Sequence, residues 1–466
     1  MSTALFWHRR DLRINDNAGL YKALKQCAKV IPVFVFDSTI LDLLPKNDQR
    51  VLFIHQEINK IKENYRSFGA DIEVLYGDPK IEIPKLAKKW NVTAVFINRD
   101  YEPNAIARDQ FLFELLKKEN IDFIGAKDQV IFEKHEITKD DGLPYTIYTP
   151  YARKWKAKLS DYHFKAYPTE KYIQNLHPFR NEALISLQEM GFEEQKTQPF
   201  PERSTPSNII QKYHEQRDIP AVLGTSRLSV HLRFGTISIR ALATKALQLN
   251  EKYLNELIWR DFYQAIIFHF PATTDNAFKP QYDRIVWQNN EADFAAWCEG
   301  KTGYPLVDAG MRELNETGFM HNRVRMVVAS FLTKHLLIDW RWGERYFAEK
   351  LLDFELASNV GGWQWAAGCG CDAAPYFRVF NPEAQQKKFD PKFEYIKKWV
   401  PEFGTPAYTK PIIDHKMARE RVLDRFKTAL QPWAKPSKSE TTAPRLVFQT
   451  AKGTKFTSMI TLDKRS

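Results

Sequence analysis

A Rossmann-like α/β domain followed by an all-α domain is the fold class that this sequence predicts, and three observations predict it. Residues 1–125 alternate short apolar runs with amphipathic stretches, the pattern of βαβ units and hence of a parallel sheet covered by helices. Beyond residue 200 the strand signals fade and capped helical segments follow one another. At 466 residues the chain is also too long for a single compact core, so two domains are expected.

In chain order, Ala4 to Trp7, Val30 to Phe36, Ile72 to Tyr76, Ala94 to Ile97 and Phe123 to Ile124 read as buried strands. Val51, Ile54, Ile58 and Ile61 recur at helical spacing, as a crossover helix requires. The first βα turn reads His8-Arg9-Arg10-Asp11-Leu12-Arg13, without the glycines of a dinucleotide fingerprint, which argues against a dehydrogenase. Residues 126–200 lose their period and are rich in Pro, Lys and Glu. They read as an interdomain connection on the surface, anchored at Tyr148, Tyr151 and Trp155. The all-α domain spans 201–428: Ser238 caps Ile239 to Leu249, and Asn255 to Phe268, Asn322 to Leu337 and Trp342 to Leu352 follow. Residues 429–466, with PSKSETTAP among them, read as a flexible tail.

Net charge is +11, and the basic residues are interspersed with 57 acids, a balance that favours a polyanionic partner. Four cysteines, Cys27, Cys298, Cys369 and Cys371, are too few and scattered for a disulfide framework or a zinc or iron-sulfur site. No apolar run approaches the roughly 18 residues of a membrane span, and the N-terminal apolar run is too short for a secretion signal, so a soluble cytoplasmic protein is expected. Serine-protease, zinc-protease and P-loop groupings are missing, which leaves hydrolysis and phosphoryl transfer without support.

Four stretches have a composition that packing alone does not explain. Leu356 to Pro382 sets Trp363 and Trp365 beside Gly361-Gly362, with Asp353 and Glu355 just before. Each glycine costs about 1 kcal/mol of helix stability, so the pair suggests close approach of something flat or bulky. Gly224-Thr225-Ser226-Arg227-Leu228-Ser229 gathers hydroxyls and a guanidinium, donors suited to phosphate oxygens. Glu256, Trp259, Arg260 and Tyr263 share one helical face, where Glu256 and Arg260 either pair with each other or serve a ligand. Asn322, Arg325 and Met326 share another face beside Arg323, with Asp353 or Glu355 as possible ion partners, whereas the neighbouring His321 reads as structural. Together these describe a pocket with a phosphate clamp, a bed for a flat ligand and an aromatic, carboxylate-lined mouth.

GTSRLS, NELIWRDFY, EGKTGYPLVDAGMR, MHNRVRM, LIDWRWGERYF, LASNVGGWQWAAG and DAAPYFRVFNP, with FWHRRDLRINDN and YTPYARKW, resemble the DNA photolyase and cryptochrome family over residues 1–428. The similarity is greatest to the microbial photolyases that repair cyclobutane pyrimidine dimers. The resemblance implies FAD in the helical domain and an antenna pigment at the α/β domain. It implies that Tyr213, Thr225, Ser226, Arg227, Leu228 and Ser229 contact the FAD phosphates and ribityl chain. Arg260, Asn322, Arg325, Asp353, Glu355 and Asn359 would surround the flavin, with Asp353 paired to Arg325. Glu256, Trp259, Asn322, Arg323, Met326 and Trp365 occupy dimer-contacting positions, and Trp363, Trp340 and Trp287 match the chain of tryptophans that carries electrons to the flavin. The implied activity is that of a monomeric lyase that uses light and reduced FAD to split a flipped-out dimer in DNA.

Three departures stand out. Glu355 and Val360 replace the Asp and Asn common in close relatives. Asn104 matches a folate-contacting position but is followed by Ala105 where an acid is frequent, so a folate, a deazaflavin, another pigment or no antenna stays open. The tail has no counterpart in compact photolyases. The main alternative is a blue-light photosensor of the cryptochrome type, and retention of all six dimer positions argues for repair. His321-Asn322, in place of a His-His pair, argues against 6-4 photoproducts.

Overall fold

The computed structural model describes residues 2–181, 184–194 and 199–431. Five strands form one wholly parallel sheet in the order β3-β2-β1-β4-β5, with β1 Thr3–His8, β2 Lys29–Asp37, β3 Glu73–Gly77, β4 Ala94–Asn98 and β5 Asp122–Ala126. Each lies within two residues of the apolar run that predicts it, because strands covered on both faces read as continuous hydrophobic stretches. Successive side chains alternate between two cores. Phe6, Phe34 and Phe36 pack with helices α1 (Ala18–Gln26) and α2 (Gln49–Ser67), and Leu5, Val33 and Ile97 pack with α3 (Pro79–Lys89) and α4 (Pro103–Lys118). Asn17, Asp48 and Asp78 cap the first three of these helices through their side-chain oxygens.

The strand order reverses between β1 and β4, the position where open α/β sheets present a crevice. Here it is occupied by the turn after β1, whose Arg10 is buried and reaches out of the domain.

The connection 126–200 is anchored more deeply than its composition suggests. Helix α5 (Tyr148–Lys158) buries Tyr151 and Trp155, while Leu176, Leu187, Met190 and Phe192 join the core on one sheet face. Leu176 also forms a parallel bridge to Val30. Single anchors at irregular spacing have no period to detect, which is why the segment resembles a surface linker. Residues up to Leu430 consequently pack as one unit.

In the helical half, α6 (Ser229–Phe234) leads to α7 (Ile239–Leu249), capped by Ser238 as expected. Helix α8 (Glu251–His269) begins four residues before the predicted start, because Asn250 accepts the amides of Lys252 and Tyr253. After α9 (Pro305–Thr317), the helix expected over 322–337 divides into α10 (Asn322–Ser330) and a π turn, Phe331–His335. That turn contains the buried Lys334, whose Nζ donates to Ala367 O at 2.7 Å. Helix α11 (Trp340–Lys350), α12 (Leu356–Ala367) and α13 (His415–Leu430) complete the frame. Helix α13 runs to Leu430, past the expected start of the tail at 429, and the rest of that stretch, 432–466, lies outside the described residues. No described helix is long and apolar enough to cross a membrane.

Candidate functional site

The glycine pair does not break α12; it fits the helix between two neighbours. A Cβ on Gly361 would lie 2.3 Å from the Tyr263 ring of α8, so this glycine accommodates a side chain of the protein itself. Gly362 meets nothing within 4 Å and faces a cavity of about 520 Å³. On α11, Gly343 leaves room for the Trp363 ring, which a Cβ there would approach to 2.1 Å. The expectation of close approach therefore holds at Gly361, where the bulky group is a ring of the protein itself, and not at Gly362, which opens toward the cavity.

The cavity is walled by α8, α10, α12 and the turn before α6, and its volume is in the range of small-molecule and cofactor sites. At one end, Tyr213, Thr225, Ser226, Arg227, Leu228 and Ser229 line it. Thr225, Arg227 and Ser229 make no side-chain hydrogen bond to a described residue, while the Ser226 hydroxyl pairs with that of Tyr253 at 2.8 Å. Gly224 is required by packing: a Cβ would meet Gln216 at 2.6 Å, and its own amide is taken by Val222 O. Arg233, missed in the sequence, also lines the cavity; its buried Nη1 makes no hydrogen bond but lies 3.9 Å from Glu102, in the ionic group of Arg10 and Glu355. The hydroxyls of Thr225 and Ser229 and the Arg227 guanidinium are what an anionic phosphate group would complete.

In the middle, the two acids separate in role. Asp353 pairs with Arg325, Nη2 to Oδ2 at 2.9 Å, as expected. Glu355 instead accepts from Arg260 at 2.8 Å and from Arg10 of the α/β domain at 2.6 Å, while Ser358 donates to its other oxygen at 2.8 Å. Burial alone would raise the Glu355 carboxyl, but Arg260, Arg10 and Arg233 overcome this and hold it down to about 2. Arg10 in turn reaches Asp100 and Glu102 at 3.2 and 2.8 Å, so a buried ionic chain joins the sheet's crevice to the cavity wall. Asn359 lines the cavity, and its Nδ2 is held by Glu344.

At the mouth stand Glu256, Trp259, Asn322, Met326 and Trp365. Glu256 pairs with Arg217 rather than with Arg260, which rules out the simple i, i+4 pair. Burial pushes the Glu256 carboxyl up, against the pull of Arg217. Tyr148 stacks on Trp259 with centroids 3.7 Å apart and planes within 3°, so one indole face is backed by a second ring. Arg323 lies just outside the cavity lining, bound to Asp218 at 2.8 Å and set over the Phe389 ring at 4.4 Å. His321 caps α10 by accepting the Arg323 amide, and burial pulls it down to about 4, so it is neutral near pH 7.

Of the three tryptophans of the expected electron chain, Trp363 lines the cavity, Trp340 is buried and Trp287 is half-buried, all in one apolar cluster. Their nearest ring partners are not one another. Trp363 meets Phe347 at 5.0 Å and Trp297 at 6.0 Å, and Trp287 meets Phe426 of α13 at 6.0 Å. Asn104 is exposed at the start of α4 and Ala105 beside it is buried. All four cysteines are free thiols.

Comparison with known proteins matches residues 4–171 to the family model for DNA photolyase and residues 253–407 to that for the FAD binding domain of DNA photolyase. The chain is 37% identical to a deoxyribodipyrimidine photo-lyase of Synechococcus, over 93% of this chain and 99% of that one. Among solved structures it is similar to a bacterial class III photolyase from Agrobacterium tumefaciens, with a TM-score of 0.82 and 31% identity over 92% of this chain and 98% of the other. It is also similar to an archaeal photolyase from Sulfolobus tokodaii with two FAD molecules, with a TM-score of 0.76 and 33% identity over 91% and 100%.

Proposed function

This chain belongs to the DNA photolyase family, and we infer from that membership and from its cavity that it is a deoxyribodipyrimidine photo-lyase, working on cyclobutane pyrimidine dimers in DNA as a cytoplasmic monomer. The observation that carries the reading is that one cavity is lined both by Thr225, Arg227 and Ser229, suited to phosphate, and by the aromatic and acidic group of Trp259, Trp365 and Glu256. Its residues fit FAD. Thr225, Arg227 and Ser229 would receive the phosphates, and Gly362 leaves an open wall for a flat ring. Arg260, Asn322, Arg325, Asp353, Glu355 and Asn359 would surround the flavin or brace the side chains that do. The chemistry that bound FAD supplies is one light-driven electron, lent to the dimer and returned when the cyclobutane ring has opened.

The protein's part is binding and orientation. A damaged, poorly stacked dinucleotide is less costly to extrude than an intact one, a logic general to enzymes that act on flipped bases, photolyases among them. Trp259, backed by Tyr148, and Trp365 would receive the extruded bases, at about 1–3 kcal/mol of stacking per base. Glu256, whose buried carboxyl holds a proton more readily than an exposed one, would hydrogen-bond the pyrimidine carbonyl and amide edge. Arg323 at the rim would contact backbone phosphate. Trp363, in one apolar cluster with Trp340 and Trp287, would carry electrons inward to reduce the cofactor. An antenna pigment at the α/β domain is part of the reading, its identity left to the pigment extracted from the purified protein. A purely sensory role is less favoured, because the named relatives are photolyases and the mouth retains a full set of base-sized contacts.

The deciding experiment irradiates an oligonucleotide carrying one thymine cyclobutane dimer with blue light, using protein whose flavin is reduced. The expected result is light-dependent return of two thymines, lowered tenfold or more in Glu256→Ala, with no return from a 6-4 lesion. FAD bound and reduced with no thymine recovered would overturn the assignment.

A further inference from the structure

Tyr148 does more than anchor the connection. Its ring lies parallel to that of Trp259, with centroids 3.7 Å apart and planes within 3°. Trp259 lines the cavity and Tyr148 does not, so the tyrosine stands behind the indole as seen from the open space. The neighbours of Trp259 on its own helix meet it differently, Phe262 edge-on at 5.6 Å and Tyr263 tilted at 5.4 Å, and neither covers it face to face.

Tyr148 is itself held at both ends. Its hydroxyl donates to the main-chain oxygen of Asn255 at 2.9 Å, one turn before Trp259 on α8. Burial pushes the phenol well above its usual range, so the hydroxyl keeps its proton and remains a donor. Its amide, in the first turn of α5, donates to Asp372 Oδ2 at 3.2 Å. The residue at the N-cap of α5 is Ile147, which has no side-chain oxygen to offer, and the acceptor comes instead from the stretch after α12. Asp372 takes a φ of 47° there, a left-handed conformation that Asp tolerates better than most residues.

An indole that turns freely must be ordered by whatever stacks on it, and that ordering is taken out of the binding free energy. A parallel ring already in place fixes the plane before the substrate arrives and leaves the opposite face free. We propose that Tyr148, tethered to α8 and to Asp372, is a positioning residue that sets the Trp259 indole for lesion recognition. The proposal rests on the reading that Trp259 receives an extruded base.

The test measures dissociation constants in the dark for one oligonucleotide with and without a single thymine cyclobutane dimer, using FAD-loaded protein, with FAD content and melting temperature recorded for each variant. Tyr148→Leu keeps an apolar side chain without a ring and is expected to weaken binding to dimer DNA about tenfold. Binding to undamaged DNA, set by phosphate contacts, should stay within about twofold. Tyr148→Phe keeps the ring and loses the tether to Asn255, with a loss of about threefold expected. Asp372→Gly suits the left-handed backbone and removes the acceptor of the Tyr148 amide; about threefold is expected again, and this variant serves if Tyr148→Leu fails to fold. In a Trp259→Leu background, Tyr148→Leu should add less than about twofold. Unchanged dimer binding in both Tyr148→Leu and Asp372→Gly, equal losses on the two DNAs, or a Tyr148→Leu effect that persists in full without Trp259 overturns the inference while leaving the assignment of cofactor and substrate in place. Wild-type protein that binds dimer and undamaged DNA alike overturns the function reading itself.

Discussion

Glu355 is the residue whose loss should be felt in both halves of the molecule. Replacing it by Gln leaves Arg10 and Arg260, both buried, without the carboxylate they share. Holding that carboxyl near 2 instead of its ordinary 4.5 corresponds to roughly 3 kcal/mol of folded-state preference for the ionised form. Breaking a buried ion pair from one side costs about the same, 3–5 kcal/mol. Because the folded value is the lower one, this stability is fully present above the unfolded value of 4.5 and is lost as pH falls toward 2. Gln does not titrate, so the gap between wild type and Glu355→Gln should be about 3 kcal/mol at pH 7, narrow below 4.5 and nearly close by pH 2.

Urea unfolding followed by tryptophan fluorescence, at a series of pH values and on matched FAD-loaded samples, measures that gap. A difference below about 1 kcal/mol at pH 7 would refute the reasoning. So would a difference that does not change between pH 7 and pH 3, since packing alone has no reason to titrate.

Three further outcomes are expected. Trp363→Phe should slow light-driven reduction of bound FAD at least tenfold while leaving repair by chemically reduced protein within about threefold, read from flavin absorbance and from dimer repair; equal loss in both assays would make Trp363 a packing residue only. Gly361→Ala should destabilise by about 1–3 kcal/mol through overlap with the Tyr263 ring, whereas Gly362→Ala should stabilise the FAD-free protein by up to about 1 kcal/mol yet weaken FAD binding, as melting and flavin titration would show. Arg323→Ala should weaken binding to dimer-containing DNA and lower the salt slope by about 1; an unchanged slope would place Arg323 away from phosphate.

The sheet was legible because its chemistry is local: each buried strand is an apolar run, and three of the four helices packed on it start after the Asn or Asp that caps them. The faces of the cavity were legible for the same reason, since Glu256, Trp259, Arg260 and Tyr263 recur on one side of α8 whatever lies opposite. Their partners were not. Arg10 meets Glu355 across 345 positions, and Arg217 claims Glu256 across 39. A charged residue on an apolar helical face announces that something must satisfy it, but its period is the same whether that is a ligand or an arginine from another domain. The two glycines of α12 make the same point sterically, since only the fold decides that Gly361 meets Tyr263 and Gly362 meets open space. The reach of the first βα turn then accounts for Glu355. In a sheet without a glycine-rich phosphate loop, the crevice at the strand reversal holds an arginine that extends to the wall of the cofactor cavity. The acid at position 355 there braces the two halves of the chain, its side chain reaching both Arg10 and Arg260 while Asp353 is left to Arg325.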